Sequence, residues 1–169
     1  MNVRPATVAD LDFVVAQEQR PENADFIIRW DRAVHEANLQ HANFRYLIVE
    51  RDDGAAAGFA ILSGLESAHG SIELTRIVMA APGRGEGRAA CRDVLDLAFG
   101  ELAAHRVSLD VFEGNARALH LYTSLGFMRE GLLRDAVRIH GQYRSLIVMS
   151  MLAREYRAAS PPVEPSFNQ

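Results

Sequence analysis

A glycine-rich segment between an apolar run and a helical pattern carries the clearest chemical signal in this chain. It reads Pro82-Gly-Arg-Gly-Glu-Gly-Arg88 and follows the apolar residues 77–81. Glycines let a backbone turn tightly and approach a ligand closely, and the first N–H groups of the following helix have no partners inside it. Because the helix dipole is positive at that end, the segment predicts a site for a phosphate or pyrophosphate. A tight strand-to-helix turn that only needs glycine is the alternative.

The composition is that of an ordinary soluble domain. The chain has 169 residues, of which 49% are hydrophobic and 24% charged, and its formal net charge is -4. Its pI of about 5.8 argues against broad electrostatic binding to nucleic acid. One cysteine occurs in the sequence, so no disulfide framework is expected. Since neither a signal-peptide core nor an apolar run of roughly 20 residues is present, we expect a cytoplasmic protein without membrane or nucleic-acid partners.

Apolar periodicity and turn signals predict the elements around the glycine segment. A short strand and two helices come first, and three strands of a meander follow. After the glycine segment come a helix, a strand, a second helix and a closing hairpin. The meander strands are predicted at residues 44–50, 57–63 and 71–79, and the strand after the glycine helix at residues 106–112.

This order, β-α-α-β-β-β-α-β-α-β-β, predicts a mixed α/β (α+β) fold. The sheet is expected to be mostly antiparallel, with one central parallel β-α-β unit. The glycine segment then lies at the carboxyl end of a central strand, where open α/β sheets bind ligands. We expect a single domain over residues 1–155 and a disordered, proline-rich tail over residues 156–169.

Two motifs, separated by one helix and one strand, point to a known family. Arg84-Gly85-Glu86-Gly87-Arg88-Ala89 fits the pattern Gln/Arg-x-x-Gly-x-Gly/Ala at the start of a helix. Asn115, Ala118 and Tyr122, followed by Gly126-Phe127, fit Asn-x-x-Ala-x-x-x-Tyr ending in Gly-Phe. Over residues 71–152 the chain resembles the GNAT superfamily of acetyl-CoA-dependent N-acetyltransferases. Residues 130–149 are similar to the branch that contains diamine and ribosomal-protein acetyltransferases.

The resemblance implies acetyl-CoA as co-substrate and a set of residues that bind it. Its pyrophosphate would be held at the glycine turn by Arg84 and by the backbone N–H groups of Gly85, Glu86, Gly87, Arg88 and Ala89. The pantetheine amides would pair with the strand residues Ile77, Val78 and Met79. Asn115 would hydrogen-bond the cofactor. It is also favoured as a plain helix cap, and the two roles are compatible.

The reaction that the resemblance implies is direct acetyl transfer to a neutral amine, without a covalent enzyme intermediate. Tyr122 would donate a proton to the leaving thiolate, as a phenol of pKa about 10 can do. A core aromatic residue is the alternative for this position. Glu73 would accept the proton of the amine, directly or through water, and an ion pair with Arg76 or Arg106 is the alternative for it.

Alternation along the strand before the glycine segment gives a geometric expectation for Glu73. Successive side chains of a strand point to opposite faces of the sheet. The pattern predicts one face with Glu73, Thr75 and Ile77, and the opposite face with Ile72, Leu74 and Val78. On a face that lines the cleft, partial desolvation would raise the pKa of the Glu73 carboxyl toward the range useful for a base.

Other residue types and two other functions give alternatives to this hypothesis. Cys91 lies on the apolar stripe of the glycine helix, which favours a core residue over a nucleophile. The histidines lack metal-ligand spacing, so no metal is expected. Gly85-x-Gly87-x-x-Ala90 also satisfies the dinucleotide-binding fingerprint, although antiparallel hairpins flank it on both sides. A CoA-binding sensor or interaction module without transfer activity is a further alternative.

The acceptor is expected to be a primary amine of a small molecule or a peptide, and its identity is left open. Five acidic residues in the first helices and loops favour a polyamine or form a solvated face: Glu18, Glu22, Asp25, Glu36 and Glu66. A homodimer is compatible with the sequence.

Overall fold

A single mixed sheet organises the molecule. The structure is a computed structural model that describes residues 1–83 and 85–159, and within these residues the sheet has seven strands. The strands are β1 (Asn2–Pro5), β2 (Phe44–Glu50), β3 (Ala56–Ser63), β4 (Ser71–Met79), β5 (Arg106–Phe112), β6 (Met128–Ile139) and β7 (Gln142–Leu152). Their order in the sheet is β1-β2-β3-β4-β5-β7-β6.

Neighbouring strands are antiparallel with one exception. The parallel pair is β4 with β5, and the helix between them makes the crossover expected of a β-α-β unit. The remaining neighbours, from β1 with β2 to β6 with β7, run antiparallel. The predicted mixed sheet with one parallel β-α-β unit is therefore confirmed.

Helices cover both faces of this sheet. They are α1 (Leu11–Glu18), α2 (Arg32–Leu39), α3 (Glu86–Phe99), α4 (Ala116–Leu125) and α5 (Ala153–Ala159). Leu11 and Val14 of α1 pack with Phe59 and Ile61 of β3 on one side, which we call the α1–α2 face. On the opposite α3–α4 face, fully buried side chains such as Val94 pack against the sheet. Each side chain of this size contributes about 1.5–3 kcal/mol on burial.

The segment between α1 and α2 is irregular. One or two helical turns are expected between residues 26 and 40, and α2 supplies them over Arg32–Leu39. A short 3₁₀ turn, Pro21–Asn23, follows α1. Before α2 the backbone binds side chains, since the Ile28 carbonyl accepts from Arg76 and the Trp30 N–H donates to Glu18.

Helix α5 was not predicted, and it crosses the expected domain boundary at residue 155. Tyr156, assigned to the tail from sequence, stacks on Phe99 with ring centroids 4.9 Å apart. Its hydroxyl donates to Asp96 over 2.5 Å. Residues 156–159 are thus helical and in contact with α3. The rest of the predicted tail, residues 160–169, lies outside the described residues.

Candidate active site

The glycine turn links β4 to α3 and has the backbone that its sequence requires. Gly83 and Gly85 have φ of +96° and +77°, in the left-handed region that glycine adopts at no steric cost. Gly85 is the residue directly before α3. Among the described residues other than its chain neighbours, a Cβ built at Gly83 or Gly85 would meet no atom within 4 Å, and one at Gly87 would lie 3.7 Å from the Met79 side chain. The described neighbours therefore leave room beside these glycines.

The N–H groups predicted to bind the pyrophosphate differ in their hydrogen bonds. The N–H of Arg88 donates to the Gly85 carbonyl over 3.2 Å, so it closes the first helical turn. The Arg88 guanidinium donates to the hydroxyl and the carbonyl of Ser124, over 2.5 and 2.9 Å, and thereby ties α3 to the end of α4. Residues 85–87 precede that bond and belong to the positions that a helix leaves without intrahelical partners. Arg84, also predicted to bind the cofactor, lies outside the described residues.

A gap opens in the sheet next to the turn. Strands β4 and β5 pair over Ser71, Ile72 and Glu73, which lie opposite Arg106, Val107 and Ser108. Beyond these pairs β4 continues along β3 and β5 continues along β7. The predicted pantetheine-binding residues Ile77, Val78 and Met79 lie on the diverging part of β4. An extended, amide-bearing ligand can pair with a strand edge of this kind.

A β-bulge in β4 overturns the predicted faces of this strand. Ile61 of β3 lies opposite Arg76, whereas its neighbour Leu62 lies opposite Leu74, so Thr75 is an extra residue in the ladder. One extra residue reverses which side chains point to which face. Ile77 accordingly packs on the α3–α4 face, as Leu74 does, and Val78 packs on the α1–α2 face. The expectation that Ile77 shares a face with Glu73, and Val78 with Leu74, was wrong.

Glu73 points to the α1–α2 face beside a second carboxylate that the sequence reasoning missed. It lies opposite Ser108, and Asp110 is two residues further along β5 on the same face. Desolvation, and then the charge of Asp110, raise the pKa of the Glu73 carboxyl. Desolvation also raises the pKa of Asp110. Both residues are exposed to water.

Neither of the ion pairs considered for Glu73 is formed. Arg76 binds the carboxylate of Glu18, and Arg106 donates to Glu130 over 2.5 Å. The alternation of β5 carried a signal for Asp110, since Leu109 and Val111 are buried and Asp110 between them faces the other way. The two carboxylates therefore face the cleft with basic partners engaged elsewhere.

Arg76, the residue after the bulge, connects β4 to the segment between α1 and α2. Its guanidinium is ion-paired with Glu18 of α1 and donates to the carbonyl of Ile28 over 2.7 Å. It also lies 4.3 Å from the centroid of the Trp30 ring, a cation–π distance. These contacts hold residues 28–30 against the α1–α2 face.

Glu18 is a buried carboxylate with several partners. Its side chain is 1% exposed, and it accepts from the N–H of Trp30 over 3.1 Å. The Nε2 atom of His35 lies 3.4 Å away without forming a directed hydrogen bond, and Nδ1 of His35 is 3.1 Å from the Tyr46 hydroxyl. Burial alone would raise the pKa of Glu18. The contact with His35, the charge of Arg76 and the Trp30 N–H outweigh burial, so the pKa lies below its usual value.

Tyr122 belongs to helix α4 and to the core. It is 9% exposed and packs in the α3–α4 cluster, with its ring centroid 5.6 Å from that of Phe127. Burial raises the pKa of its phenol, which keeps the proton on the oxygen at neutral pH. The nearby Cys91 is 1% exposed, and burial raises the pKa of its thiol to about 12. Cys91 is thus the core residue that the sequence predicted.

Asn115 caps helix α4. Its Oδ1 accepts from the N–H of Ala118 over 3.1 Å, which satisfies one of the donors at the helix start. The capping role is confirmed, and the hydrogen bond to the cofactor stays a prediction.

The acidic residues that suggested a polyamine are largely paired. Their partners are Arg76 for Glu18, Arg20 for Glu22 at 3.0 Å, Arg32 for Glu36 at 2.8 Å and His41 for Glu66 at 3.9 Å. Most of this charge is therefore already compensated. Among residues 1–83 and 85–159, no group of three or more His, Cys, Asp and Glu side chains could hold a metal ion. In the same residues no helix is long and apolar enough to cross a membrane.

The described features are a glycine turn before α3, a sheet whose strands β4 and β5 pair over three residues only, and the carboxylates of Glu73 and Asp110 beside that pairing. The model of the acetyltransferase (GNAT) family matches residues 11–127 of the chain. Since this is more than half of the sequence, the chain belongs to that family. Its reaction is the transfer of an acetyl group from acetyl-CoA to an amine. The sensor and dinucleotide-binding alternatives are thereby disfavoured.

Relatives of known name agree with this assignment. Spermidine N(1)-acetyltransferase of Escherichia coli (strain K12) is 29% identical over 169 residues, which cover 94% of this chain and 89% of the relative. The N-alpha-acetyltransferase RimI of Mycobacterium tuberculosis is 30% identical over 146 residues, 83% of this chain and 89% of the relative. The former acts on a polyamine by its name, as the resemblance to the diamine branch led us to expect.

Solved structures show the same fold. A variant of the spermidine N-acetyltransferase SpeG from Vibrio cholerae superposes with a TM-score of 0.84 at 25% identity, over 95% of this chain and 100% of that chain. The Vibrio cholerae enzyme in complex with CoA and spermine gives a TM-score of 0.84 at 24% identity, over 92% and 96% of the two chains.

Proposed function

We propose that this chain acetylates a primary amine of a small molecule or a peptide that enters from the α1–α2 face. The observation that carries the proposal is the separation of β4 from β5 directly beyond Glu73. The gap connects the glycine turn, on the cofactor side, with the two carboxylates of Glu73 and Asp110. A thioester that follows the gap reaches the carboxylates, where an ammonium group is electrostatically favoured.

The cofactor is bound in this proposal by backbone and not by a basic pocket. The N–H groups of residues 85–89 form the pyrophosphate site together with Arg84, at the end of α3 where the helix dipole is positive. Ile77, Val78 and Met79 present strand edges to the pantetheine. The left-handed backbone of Gly83 and Gly85 supports this arrangement.

The proposal gives the roles of base and acid to Glu73 and Tyr122. Glu73 takes the proton of the incoming amine, because desolvation and Asp110 raise its pKa toward the range of an effective base. Tyr122 donates to the departing thiolate, since its phenol carries a proton at neutral pH and it occupies the tyrosine position of the second motif. Asp110 lies outside both sequence motifs but faces the same gap as Glu73. In this proposal it binds the ammonium group before proton transfer.

The decisive experiment combines cofactor titration with an amine panel. Acetyl-CoA binding to the wild type and to Gly87→Val is measured by calorimetry. Valine at this position crowds Met79 and covers the turn, so binding should be lost. Free thiol is then followed with spermidine, a diamine, a peptide α-amine and an amino acid as acceptors. If Gly87→Val binds acetyl-CoA as the wild type does, the turn is not part of the cofactor site. If none of the amines causes release of free thiol, the proposed acceptor class is contradicted.

A homodimer, with which the sequence is compatible, has a candidate surface. Strand β6 is the edge of the sheet, and it carries exposed apolar side chains at Met128, Leu132 and Leu133. An edge strand offers unpaired backbone groups to another strand. Light scattering on the wild type and on Leu133→Glu tests it, since the charge on this edge should shift a dimer toward monomer. A wild type that elutes as monomer at all concentrations would contradict the assembly.

A further inference from the structure

An ion pair joins the β2–β3 turn to the first residue of α3. Nε of Arg51 donates to Oε1 of Glu86 over 2.9 Å, and Nη2 donates to Oε2 over 3.1 Å. This two-point geometry is the strong form of an arginine–carboxylate contact. The two side chains are 30% and 18% exposed, so the pair is partly shielded from water.

The backbone of Arg51 is held by hydrogen bonds within the β2–β3 turn. Its N–H donates to the Ala55 carbonyl over 3.0 Å, and its carbonyl accepts from Gly54 over 2.9 Å, so the residue closes the hairpin turn. The charge of Asp53 also acts on the guanidinium. The guanidinium is therefore presented from a rigid turn.

Glu86 poses a physical problem for a site that binds an anion. It is the first residue of α3, and its side chain is negative where the helix N-terminus attracts negative charge. An unrestrained carboxylate at this position can turn toward the N–H groups of the same helical turn. It would then compete with a pyrophosphate for these donors, and its charge would repel the phosphates.

We propose that Arg51 is a positioning residue for acetyl-CoA, which holds the Glu86 carboxylate to the side of the glycine turn and cancels its charge. This inference rests on the proposed function, in which the turn receives the pyrophosphate. Arg51 lies outside both sequence motifs and belongs to a hairpin that contributes no other group to the cofactor site. The arrangement makes the anion site dependent on a residue 35 positions earlier in the chain.

The inference is tested by removing one or both charges of the Arg51–Glu86 pair and measuring the Kd for acetyl-CoA. Arg51→Met keeps most of the side-chain volume and deletes the charge. The Kd for acetyl-CoA should rise by about tenfold, which corresponds to about 1.4 kcal/mol. Arg51→Met/Glu86→Gln removes both charges and should return to within about threefold of the wild type. With S-acetylpantetheine, which lacks the phosphates, kcat/KM of Arg51→Met should stay within about twofold of the wild type.

Arg45→Met is the matched control. Arg45 lies at the other end of β2, has a similarly exposed side chain and pairs with Glu101 at 3.8 Å, so the variant makes the same change in net charge away from the turn. Its Kd for acetyl-CoA should equal that of the wild type.

Three results would overturn the inference. The first is an Arg51→Met protein that binds acetyl-CoA as the wild type does. The second is a defect that persists in the double variant, and the third is an equal loss with S-acetylpantetheine; both would indicate general damage to the hairpin. Gly87→Val separates the two proposals. If Gly87→Val abolishes binding while Arg51→Met is normal, this inference fails alone, whereas normal binding by both variants overturns the turn as the pyrophosphate site as well.

Discussion

Replacing Arg76 by methionine should destabilise the protein strongly. Glu18 is 1% exposed and Arg76 is 9% exposed, so the pair is shielded from water on both sides. Removal of Arg76 deletes the ion-pair partner of a buried carboxylate, which costs about 3–5 kcal/mol. The cation–π contact with Trp30 and the bond to the Ile28 carbonyl are lost in the same step. For a chain of this size the melting temperature should fall by about 6–20 °C.

The loss should depend on pH in a defined direction. In the wild type the pKa of Glu18 is lowered, so its stabilising effect is present above the unfolded pKa and disappears as pH falls through the folded pKa. Without Arg76, burial dominates and the pKa of Glu18 rises. The folded variant then takes up a proton as the pH is lowered, and the deficit relative to the wild type should be smaller at acidic pH than at neutral pH.

Urea titrations at two pH values measure this effect. The fluorescence of Trp30, the single tryptophan of the sequence, reports the site, and far-UV circular dichroism reports the whole fold. Arg76→Met/Glu18→Gln should recover part of the loss, because no buried charge remains. Arg29→Met is the control, since Arg29 is exposed in the same segment and donates weakly to the Gln19 carbonyl over 3.4 Å. A deficit for Arg76→Met below about 1 kcal/mol at neutral pH, typical of a surface pair, would refute the reasoning.

Further variants test the chemistry. Tyr122→Phe should lower kcat by about 10²–10⁴-fold while the Kd for acetyl-CoA is unchanged, and normal turnover would assign the ring to packing. Glu73→Gln should keep cofactor affinity, lose turnover at neutral pH and regain some as pH rises and free amine accumulates; a pH–rate profile like that of the wild type would contradict the base role. Asp110→Asn removes a charge that raises the pKa of Glu73, so the acidic limb of the profile should move to lower pH. Cys91→Ala should retain turnover, because a thiol of pKa about 12 supplies no thiolate at neutral pH.

Local patterns predicted the scaffold of the site well. The bounds of β4 and β5 agree with the structure, since β4 is a largely apolar run and β5 alternates along its length. The glycine turn was predictable because its backbone angles demand glycine at Gly83 and Gly85. The Asn115 cap was predictable because it is a local contact, between the Asn115 side chain and the N–H of Ala118 three residues later.

Long-range geometry was not predictable from these patterns. The bulge at Thr75 leaves no mark in an apolar run, yet it exchanges the faces of all later residues of β4. The pairs Glu18 with Arg76 and Arg51 with Glu86 join positions 58 and 35 residues apart. Such pairs arise from the packing of separate elements, which a single sequence does not encode in its periodicity. The contact between residues 28–30 and β4 is the same kind of effect.

The short pairing between β4 and β5 has a thermodynamic consequence for the whole protein. In the described part of the chain, the sheet consists of a four-strand part and a three-strand part that share three residue pairs. A ligand seated in the gap bridges the two parts a second time, so its binding free energy adds to the cohesion of the sheet. A ligand at 100 times its Kd stabilises a folded protein by about 2.7 kcal/mol. Resistance to unfolding therefore becomes a function of acetyl-CoA concentration, and the backbone amides of β4 beyond the bulge should exchange with solvent slowly when the cofactor is present.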